Sequence, residues 1–305
     1  MEKEIVIIGG GPAGLAAGIY AVRASRDVIL YERGIPGGKV TETERIENYP
    51  GFPGGIGGPE LMMRMEEHAR GLGLKIESNE ILEIDREDGI FVLRSRMGDI
   101  RTKTVILATG TGPRPLGVEG ESRLRGRGVS YCAVCDGAFF RDQEVAVVGG
   151  GDAAVEEAQF LTRFASKVYL IHRRGELRAA RSIQEQALKN PKIEPVWHSV
   201  VEEIRGEDAV EEVVLKDVRD GALRTLPVNG IFIYVGTSPN SYLVEKLVER
   251  DERGFVITDE EMRTSVPGLF AAGDIRKKPL RQIVTAVADG AIAAISADRY
   301  LARGK

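Results

Sequence analysis

The sequence predicts an α/β fold with parallel sheets, and three observations support this prediction. Short runs rich in β-branched residues alternate with helical patterns along the 305 residues, as in strand–helix–strand units. One such unit occurs twice, near the N-terminus and again near residue 144, and Pro- and Gly-rich segments flank the second copy. Further strand patterns at 73–84 and 211–218 have no partner that the sequence identifies. The arrangement indicates two similar domains, one inserted into the other.

Composition and charge exclude several classes of protein. Apolar residues make up 43% and charged residues 29% of the chain, which is ordinary for a globular domain with a core. The net charge of −4 does not favour nucleic acid or an anionic membrane as a partner, and no apolar run approaches the ~18 residues of a membrane span. The first strand pattern begins almost at Met1 and leaves no room for a signal peptide. We therefore expect a cytoplasmic protein in a thiol-reducing compartment.

The two repeated units share one pattern of strand, glycine-rich turn, helix and strand. The first runs from a strand at residues 4–8, through a helix to about Ser25, to Glu32, and the second runs from a strand at 144–148 to His172. In both copies the residue after the second strand lies 23 positions beyond the first glycine of the turn. The equal spacing predicts two nucleotide-binding domains.

The first turn reads Gly-Gly-Gly-Pro-Ala-Gly. Gly9 permits the tight turn, Gly11 lets the backbone approach a pyrophosphate, and Gly14 allows close contact between helix and strand. The helix that begins here directs free N–H groups and its positive dipole end at the phosphates. Glu32 stands where a carboxylate accepts hydrogen bonds from ribose hydroxyls. These residues predict a dinucleotide such as FAD, although NAD satisfies the same pattern.

The second turn differs at the positions that select the nucleotide. Its last small residue is Ala154, and the second strand is followed by His172, Arg173 and Arg174, with Arg178 four residues further on. No carboxylate stands at the ribose position. Because guanidinium groups bind a 2′-phosphate that a carboxylate would repel, the segment predicts NADP(H) rather than NAD(H). The alternative is a solvated basic turn.

The two cysteines form a Cys-x-x-Cys motif, Cys132 and Cys135, followed by Asp136. Zinc needs about four ligands, and the three histidines are scattered without ligand spacing, so we expect no metal. A structural disulfide does not suit a reducing compartment. The spacing therefore favours a redox-active dithiol. Asp136 is the adjacent group able to hold the proton of a nascent thiolate, or else a surface or capping residue.

Two punctuated segments, 111–117 and 236–241, are interpreted as paired linkers. They divide the chain into residues 1–112, 113–241 and 242–305. The first and third parts form one domain, and the middle part, which carries the cysteines and the arginines, forms the inserted domain.

Beyond these motifs, the sequence resembles the low-molecular-weight thioredoxin reductases over essentially its whole length. The matching stretches follow the family's order: Gly9–Gly14, Pro36-Gly37-Gly38, Glu47-Asn48-Tyr49-Pro50-Gly51, Ala108-Thr109-Gly110, Cys132–Gly137, Gly149–Ala158, His172–Ala179, Gly236–Asn240, Ala271–Asp274 and Arg281-Gln282. The resemblance implies a glutathione-reductase-like FAD/NAD(P)-binding fold, with two Rossmann-like domains. The NADPH domain is then inserted into the FAD domain, and the protein is a homodimer.

The resemblance also implies the binding residues. Those for FAD are Gly9, Gly11, Pro12, Ala13, Gly14, Glu32, Arg33, Gly37, Gly38, Lys39, Asn48, Ala108, Thr109, Gly110, Gly273, Asp274, Arg281, Gln282 and Ile283. Those for NADPH are Gly149, Gly151, Asp152, Ala153, Ala154, His172, Arg173, Arg174 and Arg178. Asp274 would contact the ribitol, and Arg281 and Gln282 the isoalloxazine. Lys39 stands where the family usually has Gln.

The implied reaction passes a hydride from NADPH to FAD, reduces the Cys132–Cys135 disulfide, and ends by thiol–disulfide exchange with thioredoxin. Cys135 would face the flavin, Cys132 would attack the thioredoxin disulfide, and Asp136 would act as acid and base. Because dithiol and arginines both lie on the inserted domain, the linkers are natural hinges that let each reach one flavin. A glutaredoxin-like or other protein disulfide, or another electron donor, remains an alternative.

Overall fold

The computed structural model describes residues 2–303. Its chain divides into two compact units. The first unit contains the described residues up to Gly112 and from Ser238 onward, and the inserted unit is Pro113–Thr237. The chain thus returns to the first unit earlier than the expected residue 242. Asn240 already bonds within the first unit, because its backbone N–H donates to the carbonyl oxygen of Gly110 at 3.0 Å.

The N-terminal part of the first unit contains the first predicted strand–turn–helix–strand unit and a further run of strands. In chain order its elements are β1 (Glu2–Ile8), α1 (Pro12–Arg23), β2 (Val28–Glu32), α2 (Gly58–Gly71), β3 (Lys75–Ser78), β4 (Ile81–Glu87), β5 (Ile90–Ser95), β6 (Ile100–Leu107) and β7 (Thr111–Pro113). The helix expected to reach about Ser25 ends at Arg23, since Ser25 has a positive φ of 58°.

The inserted unit contains the second copy, and the chain leaves it through a strand that pairs with β7. Its elements are β8 (Val129–Ser130), α3 (Ala133–Asp136), β9 (Glu144–Gly149), α4 (Asp152–Leu161), β10 (Lys167–Ile171), α5 (Arg181–Lys189), β11 (Ile193–Val196), β12 (Ser199–Arg205), β13 (Glu212–Asp217), β14 (Leu223–Pro227), β15 (Gly230–Tyr234) and the crossing strand β16 (Thr237–Pro239). The first unit then ends with β17 (Leu269–Ala271) and α6 (Ile283–Arg303).

The main sheet of the first unit has the order β3-β2-β1-β6-β5-β4, and β17 also pairs with β6. Its central strand β1 is parallel to both β2 and β6. Ile5 and Ile7 pack into a core on one face with residues of α1 and α6, whereas Val6 and Ile8 pack into a second core on the other. This alternation follows the two-residue period of a strand. Coverage of both faces is what the parallel part of the sheet requires, and β4 and β5 extend the sheet with antiparallel pairs.

The inserted unit repeats this construction with a parallel sheet of order β11-β10-β9-β15-β8. Val145 and Val147 of β9 face one core, and Ala146 and Val148 face the other. A separate antiparallel sheet, β12-β13-β14, accompanies it. In both units the turn after the central strand and the residue after the next strand meet at the carboxyl edge, where open α/β sheets bind ligands.

Helix α6 has 21 residues, but no helix of residues 2–303 combines the length and apolar character needed to cross a bilayer.

Candidate active site

The glycine-rich turn of the first unit has two positions where only glycine fits and one where the backbone is open. Gly9 has a φ of +106°, which L-residues rarely adopt. A Cβ at Gly14 would collide with the carbonyl oxygen of Gly9, whereas a Cβ at Gly11 would meet nothing within 4 Å. Gly11 caps α1, and Pro12 is its first residue. The open backbone therefore lies where a pyrophosphate can approach the helix N-terminus.

The Glu32 carboxylate is fixed at the end of β2 by two backbone groups. Its Oε2 accepts a hydrogen bond from Gly10 N at 2.7 Å, and its Oε1 accepts one from Gly34 N at 2.9 Å. Each oxygen keeps further lone-pair capacity, so the carboxylate can still accept from ribose hydroxyls. The neighbouring Arg33 is exposed and forms none of these contacts.

The predicted segment around Lys39 lies against the same turn. Gly37 N donates to Gly10 O at 2.9 Å, and a Cβ on Gly38 would lie 3.8 Å from Gly11 Cα. A short 3-10 helix, Gly38–Glu42, then carries Lys39. Solvent reaches the Lys39 side chain, yet desolvation by the surrounding protein lowers its pKa, partly offset by the charges of Glu42 and Asp274. Lys39 and Asp274 thus belong to one electrostatic cluster.

Asp274 has a polar atom that the protein itself leaves unsatisfied. Its buried Oδ1 has no hydrogen-bond partner among the described residues. Burial raises the pKa of the Asp274 carboxyl, opposed mainly by the positive charges of Lys278 and Arg281. An unsatisfied buried acceptor is costly, so a ligand hydroxyl would stabilise this site.

Asp289 of α6 holds the loop that carries Asp274. Its carboxylate accepts from Gly273 N at 3.1 Å, and forms ion pairs of 2.8 Å with both Arg276 and Lys278. Gly273, with φ +81°, also approaches α1, since a Cβ there would lie 2.9 Å from the Cβ of Ala13. The loop is therefore fixed beside the start of α1.

Arg281 makes several contacts within the first unit. Its guanidinium carbon lies 3.9 Å from the Phe255 ring centre, and its nitrogens donate to the backbone oxygens of Asp274 and Arg276 at 3.3 and 3.1 Å. Burial lowers the pKa of Arg281. The contacts indicate that Arg281 shapes the loop after Asp274.

The remaining predicted flavin residues fall into two groups. Asn48 Nδ2 donates to Gln282 Oε1 at 3.2 Å, and Ile283 then begins α6. The backbone carbonyl of Ala108 lies directly under Gly9. Thr109 and Asn240 exchange two hydrogen bonds, of 2.8 and 2.9 Å, and Gly110 follows with a positive φ of 62°.

The turn of the inserted unit repeats the open glycine of the first. Gly149 has a φ of +155°, and a Cβ there would lie 2.6 Å from both the Tyr234 carbonyl oxygen and the Cβ of Ala154. At Gly151, which caps α4, a Cβ would meet nothing within 4 Å. Asp152 begins the helix, and its Oδ1 accepts a backbone N–H at 2.7 Å, while Ala153 is exposed. The open backbone again faces the helix N-terminus.

The arginine segment lies against this second turn. The backbone N–H of Arg178 donates to Gly150 O at 2.6 Å. Arg173, Arg174 and Arg178 are exposed, and no side-chain hydrogen bond or ion pair to them is found within residues 2–303. His172 is 6% exposed, its Nε2 has no partner in the described chain, and burial together with the three arginines lowers its pKa. The segment is an uncompensated positive cluster that suits an anion.

Cys132 and Cys135 form a disulfide at the start of α3. Cys132 caps this short helix, and its sulfur accepts a hydrogen bond from Cys135 N at 3.1 Å. Cys132 is half-buried, and Cys135 is exposed. Helix-terminal N–H groups stabilise a thiolate, so this geometry favours Cys132 as the thiolate after reduction.

Asp136 is tied to the cysteine motif by a residue that the sequence analysis missed. The buried Ser130 hydroxyl donates to Asp136 Oδ2 at 2.7 Å and accepts from Cys132 N at 3.1 Å. A serine two residues before a backbone N–H commonly bonds it, which is the signal that could have revealed Ser130. A second missed residue, Tyr234, accepts a hydrogen bond from Ala133 N at 2.8 Å, and no local pattern marks it.

Glu121 was also missed, although its carboxylate binds the end of the linker 111–117 that enters the inserted unit. It is 3% exposed, and its two oxygens accept from Leu116 N and Gly117 N at 2.9 and 2.7 Å. The Tyr131 hydroxyl donates to Glu121 at 2.6 Å, and desolvation, aided by this carboxylate, raises the pKa of Tyr131 to about 12. Glu121 therefore connects the linker to the residue before Cys132.

Two dinucleotide fingerprints and a Cys-x-x-Cys disulfide together define a nucleotide-dependent disulfide oxidoreductase. The chain belongs to the pyridine nucleotide-disulphide oxidoreductase family, which it matches over residues 3–290. It is 49% identical to a thioredoxin reductase of Peptoclostridium litorale, over 98% of this chain and 96% of that protein.

Solved structures agree with this assignment. The crystal structure of Lactococcus lactis thioredoxin reductase (FR conformation) is 47% identical, with a TM-score of 0.95 and 99% of both chains covered. That of T. acidophilum thioredoxin reductase is 34% identical, with a TM-score of 0.91, covering 100% of this chain and 99% of the other. The predicted α/β fold with two Rossmann-like domains, the resemblance and the disulfide oxidoreductase activity are confirmed.

Proposed function

We propose that this protein is an NADPH-dependent flavoprotein that reduces the disulfide of thioredoxin or of a thioredoxin-like protein. The observation that carries the proposal is the Cys132–Cys135 disulfide on the same unit as a dinucleotide turn that has three exposed arginines beside it. The relatives support the choice of substrate, because those named above are thioredoxin reductases, and this chain matches them over nearly their whole length. The balanced reaction is NADPH plus H⁺ plus thioredoxin disulfide to NADP⁺ plus thioredoxin dithiol.

The first unit is proposed to hold FAD. Three features fit this group: the carboxylate of Glu32 for the ribose, the open backbone at Gly11 for the pyrophosphate, and the unsatisfied Asp274 oxygen for a ribitol hydroxyl. The third feature favours FAD over NAD, since only FAD carries a ribitol. When bound, FAD supplies the two-electron relay between a nicotinamide and a disulfide.

The inserted unit is proposed to bind NADPH. Arg173, Arg174 and Arg178 have no competing carboxylate among their described contacts, so their charge is available to a 2′-phosphate. Position 172 holds a buried His, whereas a site for NADH commonly has an acidic residue there that hydrogen-bonds the ribose hydroxyls. The open backbone at Gly151 lies at the N-terminus of α4 for the pyrophosphate.

The cysteines are proposed to transfer electrons by thiol–disulfide exchange. The Cys132 thiolate, stabilised by the N–H of Cys135, attacks the thioredoxin disulfide and releases one thioredoxin sulfur as a thiolate. Cys135 then attacks Cys132, the mixed disulfide breaks, and reduced thioredoxin leaves. Asp136, held by Ser130 beside Cys132, carries the proton that the departing or nascent thiolate needs.

Both the disulfide and the arginine segment lie on the inserted unit, so each is proposed to reach one flavin in turn. The crossing strands β7 and β16 are the natural hinges for that motion. A homodimeric assembly and a cytoplasmic location follow from the family resemblance and stay predictions.

The test uses the protein as purified, without added FAD. It should be yellow, NADPH should bleach its flavin absorbance far faster than NADH, and a panel of thioredoxins and glutaredoxins should identify the partner. Cys132→Ser should retain flavin reduction by NADPH but lose thioredoxin reduction. The control Ala138→Ser, an exposed change in the same segment, should retain both. A colourless preparation, or thioredoxin turnover by Cys132→Ser, would refute the proposal.

A further inference from the structure

Tyr234 is the last residue of β15, and its position is set from two sides. Its backbone pairs with Gly149, the end of the neighbouring strand β9. Its ring is half-buried and packs against the core that contains Ala133 and Phe232. From this fixed position the phenol oxygen accepts the backbone N–H of Ala133 at 2.8 Å. A residue of the parallel sheet therefore holds the peptide group that joins Cys132 to Ala133.

The Ala133 N–H depends on this contact. It belongs to the first residue of α3, where N–H groups have no acceptor within the helix. Ala133 is fully buried, and a buried N–H without a hydrogen-bond partner destabilises the protein. The disulfide constrains the backbone on both sides of Ala133, so in the oxidised form the N–H cannot turn toward another acceptor.

Reduction changes this situation. Breaking the S–S bond frees the segment to rearrange, and a thiolate on Cys132 becomes an additional acceptor for the N–H groups around it. The hydrogen bond to Tyr234 is therefore worth more in the disulfide form than in the dithiol form. An interaction that stabilises the oxidised form makes the reduced pair a stronger reductant.

We propose that Tyr234 is a positioning residue whose hydroxyl favours the disulfide form of Cys132–Cys135 and thereby strengthens the reduced pair as an electron donor. The inference deepens the proposed function, because it concerns the same cysteines. A donor to thioredoxin needs this bias, since exchange runs toward thioredoxin only when the enzyme's dithiol is the stronger reductant.

The variant Tyr234→Phe keeps the aromatic ring and removes the hydroxyl that accepts the Ala133 N–H. A matched control is Tyr169→Phe, on the adjacent strand β10. Tyr169 is 9% exposed, and its hydroxyl donates to Glu144 Oε2 at 2.8 Å, with no hydrogen bond to the cysteine segment among the described contacts. Both variants lose one phenol hydroxyl from the inserted unit, and Tyr234 bonds the cysteine segment, whereas Tyr169 bonds Glu144.

The experiment equilibrates the FAD-loaded protein with mixtures of reduced and oxidised dithiothreitol. In this exchange the Cys132–Cys135 bond breaks, dithiothreitol closes its own disulfide, and two electrons and two protons pass to the cysteines. Alkylation of free thiols and mass spectrometry measure the fraction reduced, and visible absorbance follows the flavin separately. We expect Tyr234→Phe to shift the equilibrium constant about tenfold toward the dithiol, which corresponds to about 30 mV.

Tyr169→Phe should leave the equilibrium constant unchanged. A Tyr234→Phe constant within twofold of the wild type, a shift toward the disulfide, or an equal shift in Tyr169→Phe would overturn the inference. The readout does not involve NADPH or thioredoxin. The inference can therefore fail while NADPH-dependent thioredoxin reduction is observed, and it can hold if the physiological donor or partner proves different.

Discussion

Replacing Arg173 and Arg178 by alanine should remove most of the preference for NADPH over NADH. The two guanidinium groups are exposed and have no carboxylate partner among residues 2–303, so their loss breaks no ion pair of the protein. Hydrogen bonds to charged groups contribute about 1.5–3 kcal/mol, and exposure and salt reduce this figure. We take about 1–1.5 kcal/mol for each arginine, or about 2–3 kcal/mol together.

At 1.4 kcal/mol for each factor of ten, this loss corresponds to a rise of roughly 30- to 150-fold in the KM for NADPH. The KM for NADH should change little, because NADH has no 2′-phosphate. The assay is steady-state reduction of a disulfide substrate with each nucleotide, at low and high ionic strength. Raising the salt should narrow the preference of the wild type, since screening weakens exposed charge pairs.

Arg127→Ala is the matched control for this double variant. Arg127 is exposed and precedes β8, so it lies toward the amino edge of the parallel sheet, opposite the dinucleotide turn. Its loss should leave the nucleotide preference intact. If the double variant keeps the wild-type ratio of kcat/KM for NADPH and NADH, another group recognises the 2′-phosphate and the assignment of the arginine segment is wrong.

Two further changes test the first turn and the buried histidine. Gly14→Ala should destabilise the protein by about 1–3 kcal/mol in denaturant titrations, because its Cβ meets the Gly9 carbonyl. Gly11→Ala should keep the stability of the apoprotein but lose FAD on gel filtration, and equal behaviour of the two variants would contradict the assignment. His172 has a pKa below its ordinary 6.5, so the unfolded chain takes up the proton first as the pH falls. The contribution of neutral His172 to stability is complete above pH 6.5 and declines below it. Between pH 7 and 5, calorimetry should therefore show a steeper fall in the unfolding temperature of the wild type than of His172→Gln. Parallel falls in the two proteins would exclude this role.

The local parts of the fold were predictable because each rests on neighbours in the sequence. Gly9 and Gly14 could be assigned to the first turn since a strand, a glycine pattern and a helix follow one another within a few residues. The two turns could also be distinguished from the sequence, because the equivalent position holds an acid, Glu32, in the first copy and begins the basic segment His172–Arg178 in the second. The position where the chain returns to the first unit could not be read from local sequence. It depends on where Asn240 bonds, and its partner, Gly110, is remote in sequence.

By itself the amino-acid sequence determined the two strand–turn–helix–strand units, the position of the cysteine pair and the charge that distinguishes the two nucleotide sites. Such features depend on backbone preference and on spacing within a single unit. Only the tertiary structure decided which groups surround the cysteines and the dinucleotide turns. Ala133 and Tyr234 are 101 residues apart, and the unsatisfied oxygen of Asp274 exists only because the fold buries it. Burial and long-range hydrogen bonds arise when segments that are distant in sequence pack together, so no local sequence pattern predicts them.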